Sequence, residues 1–445
     1  MHAVITCPIP GWVSKNRKTM NKLVHKSLKY LLLWGIAFTL IAIKTYAQIY
    51  PEQYLLQALE NNPGLQAQHN TWEAAQQQAG ISGALPDPIL SAGFFTPPME
   101  RFMGNQWFDL GIMQMFPWPG TLGKQYSVAE KMAEIQYHQY RDERNRLFRE
   151  ITGLWLEIYR KEQELKIIER HMEILKAREE IIYTRYQAGQ QRSGLTLDIY
   201  RLEIQLAALE NDSGKIMQEL QTLQISFNIL IGVEQSAAVI TPDTLPDFQR
   251  NDLNIPQDAL AFDSNPQLNR ARAAAEAAEI QQEVSSLKTR PMLGVGLQYS
   301  YFAPGQEAMG QMDGGHMIMP MVSVSLPVFG KKNRATLQQS QLLAASAHFR
   351  ESDRMNALQT QLTQLEAKLS NLQRDQEFYK QQLDITNKTR ELVINAYASG
   401  DEGFDELLRI QDQLLNIEWR ILENQVNQHL AGAELDMLLA RNIFE

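Results

Sequence analysis

Glu60-Asn-Asn-Pro63-Gly-Leu65 and Asp263-Ser-Asn-Pro266-Gln-Leu268 open two stretches of this chain that run on in parallel without a gap. Each passes through an Ala/Gln-rich segment to a proline and a short apolar run, Pro88-Ile-Leu-Ser-Ala-Gly93 in the first and Pro291-Met-Leu-Gly-Val-Gly296 in the second. A second apolar run follows, ending at Phe116-Pro117-Trp-Pro-Gly120 or at Leu326-Pro327-Val-Phe-Gly330. Then comes a very long polar–apolar pattern, broken at Tyr186-Gln-Ala-Gly189 and at Tyr397-Ala-Ser-Gly400. A repeated unit of helix, two strands and two long helices predicts a mainly α fold with β-strands and internal two-fold repetition.

The helical segments are predicted at 51–84, 124–188, 197–231, 331–398 and 405–439, with Pro63-Gly64 interrupting the first. Ile151, Leu154, Ile158, Leu165 and Ile168 recur at spacings of three, four and seven. A helix over 124–188 would reach roughly 95 Å at 1.5 Å per residue. Such lengths exceed ordinary globular helices and predict coiled-coil packing. Segments 51–84 and 197–231 together match one long helix, so two shorter helices end to end fit beside it.

The apolar runs alternate. In Met317–Leu326, Ile318, Pro320, Val322, Val324 and Leu326 share one face, while Met317, Met319, Met321, Ser323 and Ser325 share the other. Phe108, Leu110, Ile112 and Phe116 oppose Asp109, Gly111, Met113 and Met115; Leu293, Val295, Leu297, Tyr299 and Tyr301 oppose Met292, Gly294, Gly296, Gln298 and Ser300. Period-two alternation over about ten residues fits a transmembrane β-barrel strand. A soluble sheet with one wet face shows the same period. Pairing, duplication and aromatic content favour the barrel. Four strands close no membrane barrel, and an open edge in lipid leaves backbone groups unsatisfied, so spanning strands require several chains.

Lys22, Lys26 and Lys29 precede an apolar run from Tyr30 to Ile43 that ends at Thr45-Tyr46-Ala47. This reads as a signal peptide over 1–47, with Met20 as an alternative start. Its removal takes seven Lys/Arg and the one cysteine, Cys7, and moves the net charge from −9 to −16. Without thiols the remainder has no disulfide, and so acidic a chain is a poor nucleic-acid binder. The remaining organisation is a first repeat over 48–232 with a hairpin at 88–116, a Pro-interrupted linker or equatorial segment over 233–262, and a second repeat over 263–445 with a hairpin at 291–328. No phosphate loop, nucleophile elbow or His-Glu-x-x-His spacing occurs, and His69, His138, His171, His348 and His429 stand singly on helices. No enzyme activity and no cofactor are expected.

The repeated helix–hairpin–long helix order and the two Tyr-x-x-Gly breaks resemble the TolC-like outer membrane factors over residues 50–440. Leu85-Pro-Asp-Pro88 and the run from Gln114 to Lys124 look similar to members paired with heavy-metal efflux pumps. The resemblance implies a homotrimer whose four strands per chain make a 12-stranded barrel in outer-membrane lipid, continued by a coiled-coil helical tunnel into the periplasm. It implies a periplasmic membrane-fusion adaptor, an inner-membrane pump of the RND type, and passive conduction, with heavy-metal cations as cargo. Ducts for drugs and amphiphiles or for a secreted protein remain alternatives. A periplasmic coiled-coil adaptor is a second, although an adaptor needs one hairpin and a soluble β-rich remainder.

By the same resemblance Tyr186, Gly189, Tyr397 and Gly400 mark the tips that meet the adaptor. Counting without gaps from Gly400, two gate positions fall on Glu406 and Arg409, the second having lost its acid; Asp401, Glu402 and Asp405 lie nearby. Carboxylates converging from three chains would favour cations. Asp and Glu at a helix start also suit its dipole. Met113, Met115, Met292, Met317, Met319 and Met321, with His316 adjacent, are candidates for metal transit, because thioethers suit Cu(I). Methionine is also a flexible filler, and that reading is preferred since transit needs no tight ligands.

Overall fold

In the computed structural model of the protein, residues 52–101, 103–187, 195–248, 259–304, 314–399 and 403–441 are described. The signal peptide expected over 1–47 lies outside them. The elements are α1 Glu52–Asn61, α2 Pro63–Gly83, β1 Ile89–Arg101, β2 Gly104–Phe116, α3 Thr121–Gln187 and α4 Leu195–Ile231. A 3-10 turn at Ala259–Phe262 precedes α5 Pro266–Leu287, β3 Met292–Ala303, β4 Gly315–Ser325, α6 Gly330–Ser399 and α7 Phe404–Leu438. The last strand of the second hairpin ends at Ser325, short of the expected 328.

The Asn-Pro pair that opens each repeat performs two tasks at once. Pro63 and Pro266 sit at the first helical position, where the missing N–H is no loss. Asn62 Oδ1 caps α2 by accepting from Leu65 N–H at 3.0 Å, and Asn265 Oδ1 caps α5 by accepting from Gln267 and Leu268 N–H. Their Nδ2 groups point the other way. Asn62 donates to Leu230 O at 3.0 Å, and Asn265 to Leu438 O at 2.8 Å. Each short helix is thus tied at its start to the end of the helix that returns from the far turn.

The long helices α3 and α6 organise the rest. Beside the sheet the helices pack in the order α2–α3–α5–α6, and beyond it in the order α4–α3–α7–α6. Two shorter helices therefore lie along each long one, as their lengths predict. The lower core joins Ile168, Leu175 and Ile182 of α3, Leu202 and Leu209 of α4, Val393 of α6, and Phe404, Leu407, Ile410 and Leu414 of α7.

The segment expected as a linker is strapped across α3 and α7. Trp155 Nε1 donates to Ile240 O at 3.0 Å, Leu245 N–H to the Tyr159 hydroxyl at 3.2 Å, and Gln425 Nε2 to Leu245 O at 2.9 Å. Residues 249–258 lie outside the described residues.

The four strands form one antiparallel sheet in the order β1-β2-β3-β4. Its middle pairing, β2 with β3, joins the two repeats: Met113 faces Gly296 and Asp109 faces Ser300. β1 and β4 are its two edges. The same sides stay open in the helical layers, with α2 and α4 below β1 and α6 below β4.

Candidate functional site

The register sorts the strand residues into two faces. One carries Leu90 and Phe94, then Phe108, Leu110, Ile112 and Phe116, then Leu293, Val295, Leu297, Tyr299 and Tyr301, then Ile318, Val322 and Val324. It is bare: Leu90 is 74%, Phe94 77%, Ile318 68% and Val322 76% exposed. A contiguous apolar surface of this kind is not left to water by a monomeric soluble protein.

The other face carries Ser91, Gly93, Asp109, Gly111, Met113, Met115, Met292, Gly294, Gly296, Gln298, Ser300, Met317, Met319, Met321, Ser323 and Ser325. Over residues 89–93, 109–115, 292–300 and 317–325, Asp109 is the one ionisable group on it. Gln298 Nε2 donates to Asp109 Oδ2 at 3.3 Å. All six predicted methionines lie here. His316 does not join them, which corrects its grouping as a transit candidate. It faces Tyr301 on the apolar side, and its Nδ1 is 2.6 Å from the Tyr299 hydroxyl.

At the far ends of the helices, Tyr397 packs its ring on Phe404 across the second turn, with centroids 5.6 Å apart. Phe404 is buried in the lower core, with Tyr397 packed against it. Tyr186 lies in the last turn of α3, which ends at Gln187, and its side chain is outside the described set. Gly189, Gly400, Asp401 and Glu402 also lie outside the described residues.

The remaining residues expected at a gate are each paired within the chain. Arg409 Nε donates to Glu406 Oε2 at 2.8 Å, and its Nη2 bonds the second oxygen, a fork matched to a carboxylate. The hydrogen bond from Arg409, aided by its charge, holds the Glu406 carboxyl below its ordinary value. Asp405 reaches another helix, with Arg201 Nη1 of α4 at 3.5 Å. Asp405 and Glu406 occupy the first turn of α7, whose Gly403 cap supplies no side-chain bond. The helix dipole favours them there.

Above this pair lies a polar cluster that spacing along the chain does not reveal. His171 of α3 is buried; its Nδ1 accepts from Gln411 Nε2 at 2.8 Å and its Nε2 is 2.9 Å from Glu418 Oε2. Arg170 also bonds Glu418, and Gln205 of α4 donates to Asp412. Burial pushes the Glu418 carboxyl up, but the His171 hydrogen bond and the Arg170 charge outweigh it and hold it low. Burial pushes Asp412 up, against the opposing effect of His171. His171 reads as solitary in the sequence because its partners lie about 240 residues away.

Among the described residues, no group of three or more His, Cys, Asp or Glu side chains is placed to hold a metal ion, and no helix is long and apolar enough to cross a membrane.

No protein-family model matches this chain, and no curated protein does. Solved structures do. CusC, described as forming a transmembrane channel, is 14% identical with a TM-score of 0.73 over 88% of this chain and 94% of its own. The outer-membrane channel OprN is 16% identical, with a TM-score of 0.73 over 88% and 90%. The outer membrane protein VceC of Vibrio cholerae is 16% identical, with a TM-score of 0.70 over 87% and 95%. At these identities the fold is what is shared. It is the fold these channel and outer-membrane proteins have in common.

Proposed function

We propose that this protein is an outer-membrane exit duct of a tripartite efflux system, conducting its cargo passively. The bare apolar face of the four-stranded sheet carries this reading: strands of 11 to 13 residues suffice to cross a bilayer when tilted. The fold shared with CusC, OprN and VceC supports it, as does the outer-membrane location with which OprN and VceC are described. A periplasmic adaptor has no use for such a sheet.

The open sides support a homotrimer. β1, α2 and α4 form one side of the chain, and β4 and α6 the other. Both expose apolar side chains at coiled-coil spacing: Leu197 and Ile204 on α4, and Leu342, Phe349, Phe378, Ile385 and Leu392 on α6. Such stripes are seams that want a partner helix. Unlike sides meeting head to tail generate a ring, and three copies of four strands make twelve.

Heavy-metal cations are the cargo this reading favours, on the strength of the likeness of Leu85-Pro-Asp-Pro88 and the run from Gln114 to Lys124 to members paired with heavy-metal pumps, with which the thioethers and Asp109 of the polar face are compatible. The adaptor would meet the tips at Tyr186, Gly189, Tyr397 and Gly400, and an RND-type pump would supply the energy. No catalytic step belongs to the duct itself.

The test is reconstitution. Detergent-purified protein that cross-links as a trimer and opens stepwise conductances in planar bilayers supports the duct; a monomer soluble without detergent rejects it. Deleting the protein from its host should then lower tolerance to metal ions. Lost tolerance to dyes or detergents alone would keep the duct and reject the metals.

A further inference from the structure

The ladder between β3 and β4 ends at Met292 opposite Ser325, and cations gather where both strands meet their helices. Lys288 and Arg290 stand between α5 and β3, and Lys331, Lys332 and Arg334 stand at the start of α6. All five are exposed, and no ion pair among the described residues reaches any of them. The chain as a whole has a net charge of −9, so this patch stands against its average. The bare apolar side of the sheet runs directly into it, through the exposed side chains of Leu326, Val328 and Phe329.

The first repeat builds the same junction without such a patch. Counting from Pro88 and Pro291, Lys288 and Arg290 correspond to Leu85 and Asp87. Counting from Gly120 and Gly330, Lys331 and Lys332 correspond to Thr121 and Leu122. Arg334 alone has a basic counterpart, Lys124, and that lysine is paired with Glu283 at 2.5 Å. The junction therefore folds without free cations. Local electrostatics oppose those on α6 as well: its first turn holds no acid, and a helix start disfavours positive charge.

We propose that Lys288, Arg290, Lys331, Lys332 and Arg334 dock on the phosphates of anionic phospholipid, at the rim of the sheet from which the helices leave. The occupant follows from position. An apolar face set in lipid ends within a few residues of these cations, and headgroups lie just outside the hydrocarbon. Lys and Arg stems rest on apolar surface while their charged ends reach that layer. The attraction of an anionic leaflet falls off within a Debye length, so cations placed at the rim gain most from it. On the duct reading, on which this inference rests, the rim meets the periplasmic leaflet of the outer membrane. Each chain supplies one charged and one uncharged junction, so three chains in a ring hold anionic lipid at three places.

The test uses the full chain, purified in detergent and reconstituted into phosphatidylcholine vesicles. Spin-labelled phosphatidylglycerol and spin-labelled phosphatidylcholine are the probes. Electron spin resonance separates lipid restricted at the protein surface from bulk lipid, and the two probes together give a relative association constant. At low salt phosphatidylglycerol should be preferred roughly severalfold. K331Q/K332Q/R334Q should remove most of that preference, and adding K288Q/R290Q should remove the rest. K331R/K332R keeps the charge and should keep the preference. Lys176→Gln, which removes an exposed cation toward the far end of α3, should change nothing. Raising the salt should weaken the preference in the unaltered protein. Circular dichroism and trimer elution check that each variant is folded.

Restricted lipid without a preference for phosphatidylglycerol would overturn the rim and keep the duct. So would a preference that survives in the folded five-site variant. Displacement by inorganic phosphate beyond that by sodium chloride at equal ionic strength would mark a site for soluble anions, and overturns the lipid assignment. No restricted lipid with either probe would mean that the sheet is not in the membrane, and rejects the duct together with the rim.

Discussion

Arg409 holds both oxygens of Glu406 one helical turn away, with its Nε 2.8 Å from Oε2. The acid expected to contribute to a negative ring at the tip is thereby paired inside its own chain. An exposed pair of this kind adds little stability, so its consequence is electrostatic. Arg409→Gln should leave folding intact and release one carboxylate per chain. The expected outcome is a higher cation-to-anion permeability ratio in planar bilayers, read from the reversal potential in a salt gradient, and erased by adding Glu406→Gln. The shift should be largest at low salt, where screening is weakest.

Arg201 and Asp405 link α4 to α7 at 3.5 Å, and the bond from Gln205 to Asp412 repeats the link two turns higher. These two helices otherwise touch little, α4 being packed chiefly on α3, and α7 on α6 and α3. A latch made of polar contacts can open without disturbing an apolar core. Arg201→Ala should therefore raise amide exchange at the start of α7 severalfold while exchange near Ile158 stays unchanged. Conductance should rise in parallel. Equal exchange in both proteins would remove the latch.

Acid should act on the same region with opposite signs at two residues. Glu418, held low, stabilises the fold above its ordinary value of 4.5, and the benefit disappears as pH falls through the lowered value. Asp412, pushed up, stabilises only below its ordinary 3.8 and loses that contribution as pH rises through the raised value. At pH 7 an ionised, half-buried Asp412 is a cost. Asp412→Asn should raise the melting temperature at pH 7 and leave it unchanged at pH 3. Glu418→Gln should lower stability at pH 7 by about 1 kcal/mol, since His171 and Arg170 then face a neutral acceptor. That loss should shrink toward pH 3. Melting curves at both values check the pair.

The sheet was legible because a strand repeats every two residues, so Met317, Met319 and Met321 declare a shared face without any knowledge of their neighbours. The same count places His316 with Tyr299 and Tyr301, and grouping it with the methionines overlooked its parity. The acidic first turn of α7 was visible as a helix start. The Arg409 fork was legible too, since residues three apart on a helix are neighbours; reading Arg409 only as a departure from an acidic gate concealed it. The His171–Glu418–Gln411 cluster was beyond reach, because it depends on how α3 and α7 are registered against each other. The contact of Ser323 with Met113 and Met115 likewise needs three strands aligned to the residue. Asn62 and Asn265 stood in plain view as a repeat, but the second bond of each, to the end of a distant helix, is tertiary.

Those second bonds give a graded expectation. Asn265 is buried and serves Gln267, Leu268 and Leu438 together, whereas Asn62 is half-buried and serves Leu65 and Leu230. Loss of a cap costs about 1 kcal/mol, and a buried carbonyl left unpaired costs about 1–3 more. Asn265→Ala should therefore destabilise by about 2–4 kcal/mol and Asn62→Ala, whose freed carbonyl is half-exposed, by about 1–2 kcal/mol. Native-state hydrogen exchange at the two helix starts measures both in one sample.

The matching positions after α4 and α7 differ in a way that the repeat itself exposes. Gly232 has φ +72°, where only glycine is at ease, and Ala440 occupies the same left-handed region with φ +48°. For an L-residue that conformation costs about 1–2 kcal/mol. Glycine in its place relieves the strain and gives part of it back through greater freedom in the unfolded chain. Ala440→Gly should therefore stabilise the end of α7, by up to about 1 kcal/mol. Gly232→Ala is not its mirror image. There the new Cβ would meet Asn61 Cβ at 2.7 Å and the Asn61 carbonyl oxygen at 3.0 Å, so steric conflict adds to backbone strain. It should destabilise by more than Ala440→Gly stabilises, and it should disturb the neighbouring Asn62 cap as well. Slower amide exchange at the end of α7 in the first variant, and faster exchange at the end of α4 and the start of α2 in the second, is the expected pair of results. Equal and opposite changes would mean that Asn61 yields without cost.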